Sequence, residues 1–410
     1  MTSGDTAWML SATSLVLLMT LPGLTLYYAG MVRIRNVLTT IMQVFSIACI
    51  VTVLWMFCGY SLAFGPVHAG GGGDYPVFGD GSRMWLRGMG LHSAHDLAPH
   101  IPEPLFCAYQ LMFAIITPSL ICGSIVDRMS YPPLLIFTCC WHVLVYCAVC
   151  HSVWHPGGFL YEAGNLDYAG GGVVHLSSGV SGMVFAFMLG PRQGFGMDRY
   201  EPHNILFSFV GACMLWVGWF GFNAGSAFAA NENAAMAQLC SQLAAAASAL
   251  SWLAVEWKLR GKPSVLGLIS GAFAGLVCVT PASGYINTTG AFFIGLYGGP
   301  ICYLGCQIKH YVGCDDALDV FGIHAVGGIV GAISTAFYAT HAVGGENGIY
   351  YASRVDGWHL LGVQLYAICV IAGWSAFATF AILKSIDMTI GLRVSEEIEF
   401  SGLDQFLHGE

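Results

Sequence analysis

Two apolar stretches of the chain each end in a single histidine and begin with an aspartate. The first runs from Asp167 to His175, and the second runs from Asp319 to His324. A titratable ring inside a membrane span is costly, so it usually faces the protein interior or a water-filled path. A neutral imidazole has one donor and one acceptor nitrogen, so two adjoining rings can share a hydrogen bond. We therefore expect a functional site at these two histidines.

The composition is that of an integral membrane protein. The chain has 410 residues, of which 56% are hydrophobic and 9% are charged, whereas soluble domains have about 25% charged residues. A helix that crosses the roughly 30 Å hydrocarbon core needs about 20 apolar residues. Eleven apolar runs with at most one charged residue are candidates, at about 8–30, 38–64, 104–126, 132–154, 173–190, 204–222, 235–256, 264–281, 290–308, 320–339 and 360–386. We predict an all-α integral membrane protein with eleven transmembrane helices.

The basic residues predict the orientation, because cytoplasmic loops carry an excess of Lys and Arg. With the N-terminus outside, most of the 14 Lys and Arg residues fall on the cytoplasmic side, and only Arg83, Arg87 and Arg354 fall outside. The opposite orientation would reverse this bias. An odd number of spans then places the C-terminus in the cytoplasm.

A weak internal repeat divides the membrane region into two units, about 8–190 and 204–339, followed by an additional helix at about 360–386. Tyr-Tyr-Ala-Gly at 27–30, near the end of the first span, resembles Phe-Asn-Ala-Gly at 222–225, near the end of the sixth. Each unit has five spans, so the second must enter the membrane from the opposite side. The sequence therefore predicts a five-plus-five inverted repeat with its site near the midplane.

The inverted repeat would bring His175 and His324 together from opposite halves of the protein. The alternative is two unrelated buried histidines, each satisfied by a backbone carbonyl, and the equivalent repeat positions argue against it. We assign residues 1–386 to one transmembrane domain and residues 387–410 to a cytoplasmic C-terminal tail.

Several motifs follow one another in an order and at a spacing typical of one family. They are Asp-Tyr-Ala-Gly-Gly at 167–171, Val-Val-His at 173–175, Gly-Trp-Phe-Gly-Phe-Asn-Ala-Gly-Ser at 218–226, Leu-Arg-Gly-Lys-Pro-Ser at 259–264, Asp-Val-Phe-Gly-Ile-His at 319–324 and Gly-Leu-Arg-Val-Ser-Glu-Glu at 391–397. On these motifs the chain resembles the ammonium transporter, methylammonium permease and Rhesus protein superfamily (Amt/Mep/Rh), and its Amt/Mep branch in particular. The resemblance implies an eleven-span homotrimer with one pore in each subunit.

The resemblance also implies an outer site that recruits ammonium. Phe113, Trp154 and Ser226 match the residues of that site, where aromatic faces attract a cation and a serine oxygen accepts an N–H bond. Phe113 and Phe222 match a stacked pair that closes the pore below the site. Asp167 matches an aspartate that supports the recruitment region without contacting the ligand. Taken alone, Asp167 would be expected to cap the fifth span.

His175 and His324 match the twin histidines that line the apolar pore of the family. The resemblance implies that ammonium is deprotonated near the mouth, that neutral ammonia crosses the apolar stretch, and that the proton travels along the histidines. A potassium ion has no proton to surrender, so it would bear the full cost of desolvation.

These features predict a transporter of ammonium or methylammonium in the plasma or cytoplasmic membrane, and not an enzyme. The sequence has no phosphate-binding Gly-x-x-x-x-Gly-Lys-Ser/Thr loop and no His-Glu-x-x-His motif, and two histidines make an incomplete zinc site. We expect no catalytic residue, cofactor, metal or nucleic-acid partner. The expected partners are ammonium or methylammonium, the lipid bilayer, the other subunits of a homotrimer, and a cytoplasmic regulator at the tail, 387–410.

Two alternatives share the resemblance. The first is a Rhesus-like channel for neutral ammonia or carbon dioxide, although Trp154 and Ser226 depart from the typical Rhesus pattern. The second is an ammonium sensor that signals through its tail to a cytoplasmic partner.

Overall fold

The computed structural model describes residues 1–65, 76–197, 200–352 and 354–410. Within these ranges every regular element is a helix, and backbone pairing of the sheet type is confined to two isolated bridges, His95 with Ala98 and Met129 with Arg393. The all-α class predicted from the composition is confirmed.

Eleven apolar helices follow one another in the described part of the chain. They are α1 (Ser3–Met31), α2 (Ile34–Phe64), α3 (Glu103–Ile125), α4 (Tyr131–Glu162), α5 (Gly171–Leu189), α6 (Ile205–Gly225), α7 (Glu232–Arg260), α8 (Val265–Val279), α9 (Thr288–Val312), α10 (Phe321–Tyr338) and α11 (Arg354–Asp387). Short helical turns also occur at Met84–Leu86, Glu396–Ser401 and Asp404–His408. All the apolar helices except α8 are long enough to cross a membrane, which makes this a multi-pass membrane protein.

The helix α8 is shorter than the apolar sequence from which it was predicted. The uncharged run at 264–281 becomes a helix of 15 residues that ends at Val279. Pro281 follows closely and has no N–H group with which to continue the helical ladder. Because a spanning helix needs about 20 residues, α8 does not meet the criterion that the ten other helices meet. The eleven-span count therefore stays a prediction.

Polar side chains begin four consecutive helices, α6 to α9. Asn204, Asn231, Ser264 and Asn287 each accept a hydrogen bond from the backbone N–H three residues ahead, at 2.9 to 3.1 Å. These oxygens satisfy N–H groups that the first turn of a helix leaves unpaired. At the other end of α7, Gly261 has a φ of 76°, a left-handed conformation that glycine adopts at little cost.

The two helices that carry the histidines cross at glycines. A Cβ atom at Gly179 of α5 would lie 2.3 Å from the backbone nitrogen of Ala325 in α10. A Cβ atom at Gly328 of α10 would lie 2.6 Å from the carbonyl oxygen of Gly171 in α5. Only residues without a side chain allow such a close approach of two backbones. This crossing sets the separation of the two histidines.

A buried cluster of charges joins the segment after α3, the segment after α5 and the segment before α10. Arg192 binds Asp315 through two parallel hydrogen bonds of 2.8 Å, and its third nitrogen lies 3.2 Å from Asp127. Arg128 donates to the Asp315 carbonyl oxygen at 2.7 Å. A buried charge left without a partner is strongly destabilising. The cluster therefore holds these three segments together.

The C-terminal segment packs beside this charge cluster. The Asp404 carboxylate accepts hydrogen bonds from the backbone N–H groups of Leu38 at 3.0 Å and Thr39 at 2.7 Å, in the first turns of α2. The Leu403 N–H donates to the Asn36 side-chain oxygen at 2.8 Å. Asn36 in turn donates a short hydrogen bond to Asp127 of the charge cluster. The tail is thus tied to the membrane domain through polar contacts.

The substitution Asp315→Asn tests the charge cluster through its pH dependence. Burial alone would raise the pKa of Asp315, but the hydrogen bonds and positive charge of Arg192, with Arg128 nearby, lower that pKa below the ordinary value of 3.8. Because the folded-state pKa is the lower one, the carboxylate stabilises the fold above about pH 4. That stabilisation is lost as the pH falls through the lowered pKa. At neutral pH we expect the variant to lose about 3 kcal/mol of unfolding free energy.

Thermal unfolding of the wild type and the variant in detergent measures this effect. The difference in melting temperature should be large at neutral pH and should shrink in acid, where Asp315 is protonated in both states. A difference that stays constant across the acidic range would contradict the role assigned to the carboxylate.

Candidate functional site

A cavity of about 310 Å³, which we call the outer cavity, lies between α3 and the C-terminal ends of α4 and α6. Phe113 of α3, Trp154 of α4 and Ser226 just after α6 all line it. The Phe113 and Trp154 rings meet edge to face, with centroids 5.6 Å apart and planes at 87°. A cation over an aromatic face gains about 0.5–2 kcal/mol. The outer cavity is therefore suited to weak binding of a small cation.

Ser226 offers the outer cavity an oxygen acceptor. Its hydroxyl donates to the carbonyl oxygen of Phe222 at 2.9 Å. That carbonyl is one of the last four of α6, which have no partner within the helix. Because the hydroxyl proton is committed there, a lone pair of the oxygen stays able to accept an N–H bond from a molecule in the cavity.

Asp167 caps the start of α5 and also holds Trp154. Its two carboxylate oxygens accept four hydrogen bonds of 2.6 to 3.1 Å from the successive backbone N–H groups of residues 170–173. Burial raises the pKa of this carboxyl, against the opposing effect of the four hydrogen bonds. The indole N–H of Trp154 donates to the Asp167 carbonyl oxygen at 2.8 Å. The residue therefore orients the wall of the outer cavity while its carboxylate is occupied by the backbone.

Asp319, the counterpart of Asp167 in the sequence repeat, does not cap α10. That position belongs to Asp316, whose carboxylate accepts from the Phe321 N–H at 2.8 Å and from the Ser124 hydroxyl at 2.7 Å. Asp319 instead pairs with Lys309 at 2.8 Å. The spacing of the two motifs is similar, but the aspartate that holds the helix lies three residues earlier in the second half.

Phe113 and Phe222 separate the outer cavity from the histidines. Their rings stack with centroids 4.3 Å apart and planes at 29°, and both side chains are buried. On its other side the Phe222 ring lies 5.9 Å from the His175 ring. Two apolar rings stacked in this way can keep out water and, with it, hydrated ions.

The two histidines meet as the motif pattern suggested. The Nδ1 atoms of His175 and His324 lie 3.1 Å apart, and the rings are nearly parallel, with centroids 5.2 Å apart. Each histidine lies in a π-helical first segment of its helix, at Gly171–Leu176 and Phe321–Ala325. The ring of Trp219 stacks on His175 at 5.5 Å and holds its own place by donating to Thr280 at 3.0 Å.

A narrow cavity of about 20 Å³ lies against the paired rings. Its lining is mainly apolar and includes Leu120, Leu215, Phe273 and Ile323 beside the two histidines. This volume admits about one molecule of the size of water. The Nε2 atom of His175 is buried and has no hydrogen-bond partner among the described residues. A small molecule that donates or accepts a hydrogen bond would satisfy it.

Among the residues that the structure describes, no group of three or more His, Cys, Asp or Glu side chains is arranged to hold a metal ion. The Nδ1 atoms of the two rings also point at each other. The arrangement suits proton transfer between two rings.

Tyr109, Gln110 and Trp219 belong to the site but were not predicted from the sequence. Gln110 lines the outer cavity, and its buried Oε1 atom has no partner in the described chain. Tyr109 contacts the end of α6 through its hydroxyl. Trp219 lies within the motif at 218–226, which was the available signal for it. Buried aromatic residues such as Tyr109 are too common in this chain to single out without the fold.

The substitution Asp167→Ala tests the cap of α5. It leaves four backbone N–H groups at a buried helix start without an acceptor, and each such loss is costly. We expect a fall of about 2–3 kcal/mol in unfolding free energy, measured as a lower melting temperature in detergent. Asp167→Asn, which keeps one acceptor oxygen, should lie between the alanine variant and the wild type. Equal melting of all three proteins would contradict this role.

Comparisons with known proteins identify the family of this chain. The Ammonium Transporter Family profile matches residues 7–410. The chain is 41% identical over 413 residues to an ammonium transporter of Bacillus subtilis (strain 168), covering 100% of this chain and 98% of the relative. It is 42% identical over 409 residues to an ammonium transporter of Aquifex aeolicus (strain VF5), covering 100% and 93%.

Two solved structures share the fold over nearly the whole chain. Saccharomyces cerevisiae Mep2 gives a TM-score of 0.85 at 33% identity, covering 96% of this chain and 90% of that one. A structure described as a Sensor Amt Protein gives a TM-score of 0.87 at 26% identity, covering 98% and 97%. The resemblance found in the motifs is confirmed, and the chain belongs to the Ammonium Transporter Family.

Proposed function

We propose that this protein moves ammonium across a membrane by separating it into ammonia and a proton. The observation that carries the proposal is the 3.1 Å contact between His175 and His324 beside a narrow, mainly apolar cavity. That cavity lies behind the stacked Phe113 and Phe222 rings. A route of this kind favours a small neutral molecule over an ion, because an unpaired charge is very costly in an apolar environment.

Recruitment takes place in the outer cavity. Ammonium lies against the aromatic faces of Phe113 and Trp154 and donates an N–H bond to Ser226. The cation–π attraction grows as water is excluded, so part of the hydration shell can be exchanged for protein contacts. Asp167 acts indirectly, because its backbone carbonyl oxygen accepts the hydrogen bond that holds the Trp154 indole in place. The site discriminates in favour of cations that have N–H donors.

The phenylalanine pair, Phe113 and Phe222, provides selectivity after recruitment. An intact hydrated cation does not fit between rings whose centroids are 4.3 Å apart. Ammonium can give up a proton and continue as neutral ammonia, whereas potassium cannot change its charge. Potassium therefore bears the cost of desolvating a charge along the whole apolar path, whereas ammonium bears it only until it loses its proton.

The histidine pair carries the proton. When one Nδ1–H donates to the other Nδ1, the first ring has a bare Nε2 and the second ring carries its proton on Nε2. The proton that ammonium gives up goes to this bare Nε2, the shared proton then crosses between the Nδ1 atoms, and the second ring releases its Nε2 proton. One proton enters and one leaves, so the pair is again neutral but with its hydrogen bond reversed, and both tautomers return to the starting arrangement before the next proton enters.

The wider organisation completes the proposal. We place eleven spans in the plasma or cytoplasmic membrane as a five-plus-five inverted repeat and an extra helix, with the N-terminus outside. Three subunits form a homotrimer, each with its own pore in residues 1–386. The tail, 387–410, faces the cytoplasm and is the candidate contact for a regulator. Methylammonium is a second substrate, because it shares the positive charge and N–H donors of ammonium.

A sensor role is the second candidate, and the likeness to a structure described as a Sensor Amt Protein favours it. A cell carrying a variant that no longer transports ammonium would separate the two roles. Loss of the ammonium response together with transport supports the transporter. A response that survives the loss of transport supports the sensor.

The substitution His175→Ala tests the histidine relay. In proteoliposomes, the wild type should give an ammonium-evoked current that greatly exceeds the potassium current. Removing one ring breaks the proton path and widens the cavity, so the ammonium-to-potassium current ratio should fall by at least about tenfold. Methylammonium currents serve as a second substrate measurement.

The matched control is His142→Ala, because His142 is buried in α4 and lines neither the outer cavity nor the histidine cavity. It should keep the selectivity of the wild type. The relay would be contradicted if the wild type gave no current while ammonia uptake stayed intact in both the wild type and His175→Ala. That result would favour a Rhesus-like channel for neutral gas.

A further inference from the structure

The hydroxyl of Tyr109 reaches across from α3 to the C-terminal end of α6. It lies 2.9 Å from the carbonyl oxygen of Gly221 and 2.8 Å from that of Phe222. The last carbonyl groups of a helix lack partners within the helix, and that of Phe222 is one of them. The Tyr109 side chain is fully buried, so its hydroxyl supplies this carbonyl with a donor that solvent does not provide.

Ser226 joins the same cluster. Its hydroxyl donates to the Phe222 carbonyl at 2.9 Å, and its oxygen lies 3.3 Å from the Tyr109 oxygen. One carbonyl therefore meets two hydroxyl groups, one from the recruitment serine and one from a different helix. A Cβ atom at Gly225 would lie 2.6 Å from the Tyr109 oxygen. Glycine at position 225 therefore leaves the space that the Tyr109 hydroxyl occupies.

Tyr109 also lies on the same face of α3 as Phe113. We call the stacked Phe113 and Phe222 rings the gate. Phe113 follows Tyr109 by four residues, which places the two side chains one turn apart, and their rings are 5.0 Å apart. The helix α3 thus carries one ring of the Phe113–Phe222 stack directly. Through the Tyr109 hydroxyl, α3 also holds the backbone carbonyl of Phe222, which carries the other ring.

We propose that Tyr109 is a positioning residue that aligns the two gate rings and the recruitment serine with one another. The inference rests on the proposed transport function and names a residue through which its outer site and gate are coupled. The hydroxyl acts by anchoring the end of α6 to α3, so that Phe222 stays stacked on Phe113. The same anchor keeps the Ser226 oxygen turned toward the outer cavity.

Loss of this hydroxyl has two consequences of different kinds. The Phe222 carbonyl keeps only the Ser226 hydroxyl, so the end of α6 can shift relative to α3 and the ring stack loosens. A looser stack admits water, which a closed apolar constriction excludes. Ser226 can also turn away from the cavity, which weakens recruitment of an N–H donor.

The test is Tyr109→Phe, which removes one oxygen atom and keeps the ring. Tyr297→Phe is the matched control, because it removes a tyrosine hydroxyl that lies 2.6 Å from the Ser334 hydroxyl, between α9 and α10 and outside both cavities. Two quantities are measured in proteoliposomes. They are the osmotic water permeability and the ammonium concentration that gives half-maximal transport.

Tyr109→Phe should at least double the water permeability attributable to the protein and raise the half-saturating ammonium concentration roughly two- to tenfold, as expected for one hydrogen bond. Tyr297→Phe should match the wild type in both. Tyr109→Phe combined with Ser226→Ala should have the half-saturating concentration of Ser226→Ala alone, because Tyr109 acts on recruitment through Ser226.

Unchanged water permeability and half-saturation in Tyr109→Phe would overturn the inference. Effects of Tyr109→Phe and Ser226→Ala on half-saturation that simply add would also overturn it, since they would show two independent sites. Water permeability does not depend on the substrate. If the wild type failed to move ammonium, the proposed function would fail while the positioning of the gate could still be read from the water measurement.

Discussion

The cost of taking a charge out of water is the constraint on which the rest of this structure depends. Between the outer cavity and the histidines the chain places two stacked phenylalanine rings, and beyond them a cavity of about 20 Å³ with a mainly apolar lining. An intact cation would lose its hydration there without adequate compensation. The hydrogen-bonded pair of His175 and His324 resolves this conflict in our account, because it gives the proton a separate path beside the neutral molecule.

The fold serves this pair by controlling distances. The helices α5 and α10 approach at Gly179 and Gly328, where a Cβ atom would collide with the opposite backbone. The cap at Asp167 holds the first turn of α5 and, through its carbonyl oxygen, Trp154. At the opposite face, buried ion pairs and the C-terminal segment hold the ends of the helices. Direct ring contacts thus link Trp154 in the outer cavity to Phe113, Phe113 to Phe222, and Phe222 to His175.

The sequence was informative where chemistry is unusual and uninformative where it is ordinary. A histidine or an aspartate stands out in an apolar stretch, so the pairing of the histidines and the cap at Asp167 could be anticipated. Tyr109 could not, because its role depends on which helix end it faces. The repeat pointed to Asp319 as the equivalent of Asp167, yet Asp316 caps α10, since capping depends on local backbone geometry. Hydropathy could not foresee that α8 ends at Val279.

The most direct test of the account is the solvent isotope effect on the ammonium-evoked current of the wild type. In heavy water every exchangeable proton of ammonium and of the histidine pair becomes a deuteron. If charge crosses as a proton handed between His175 and His324, the current should fall by clearly more than the higher viscosity of heavy water explains. A current that falls only in proportion to viscosity would show that no proton transfer limits transport, and would contradict a current set by the proton hand-over between His175 and His324.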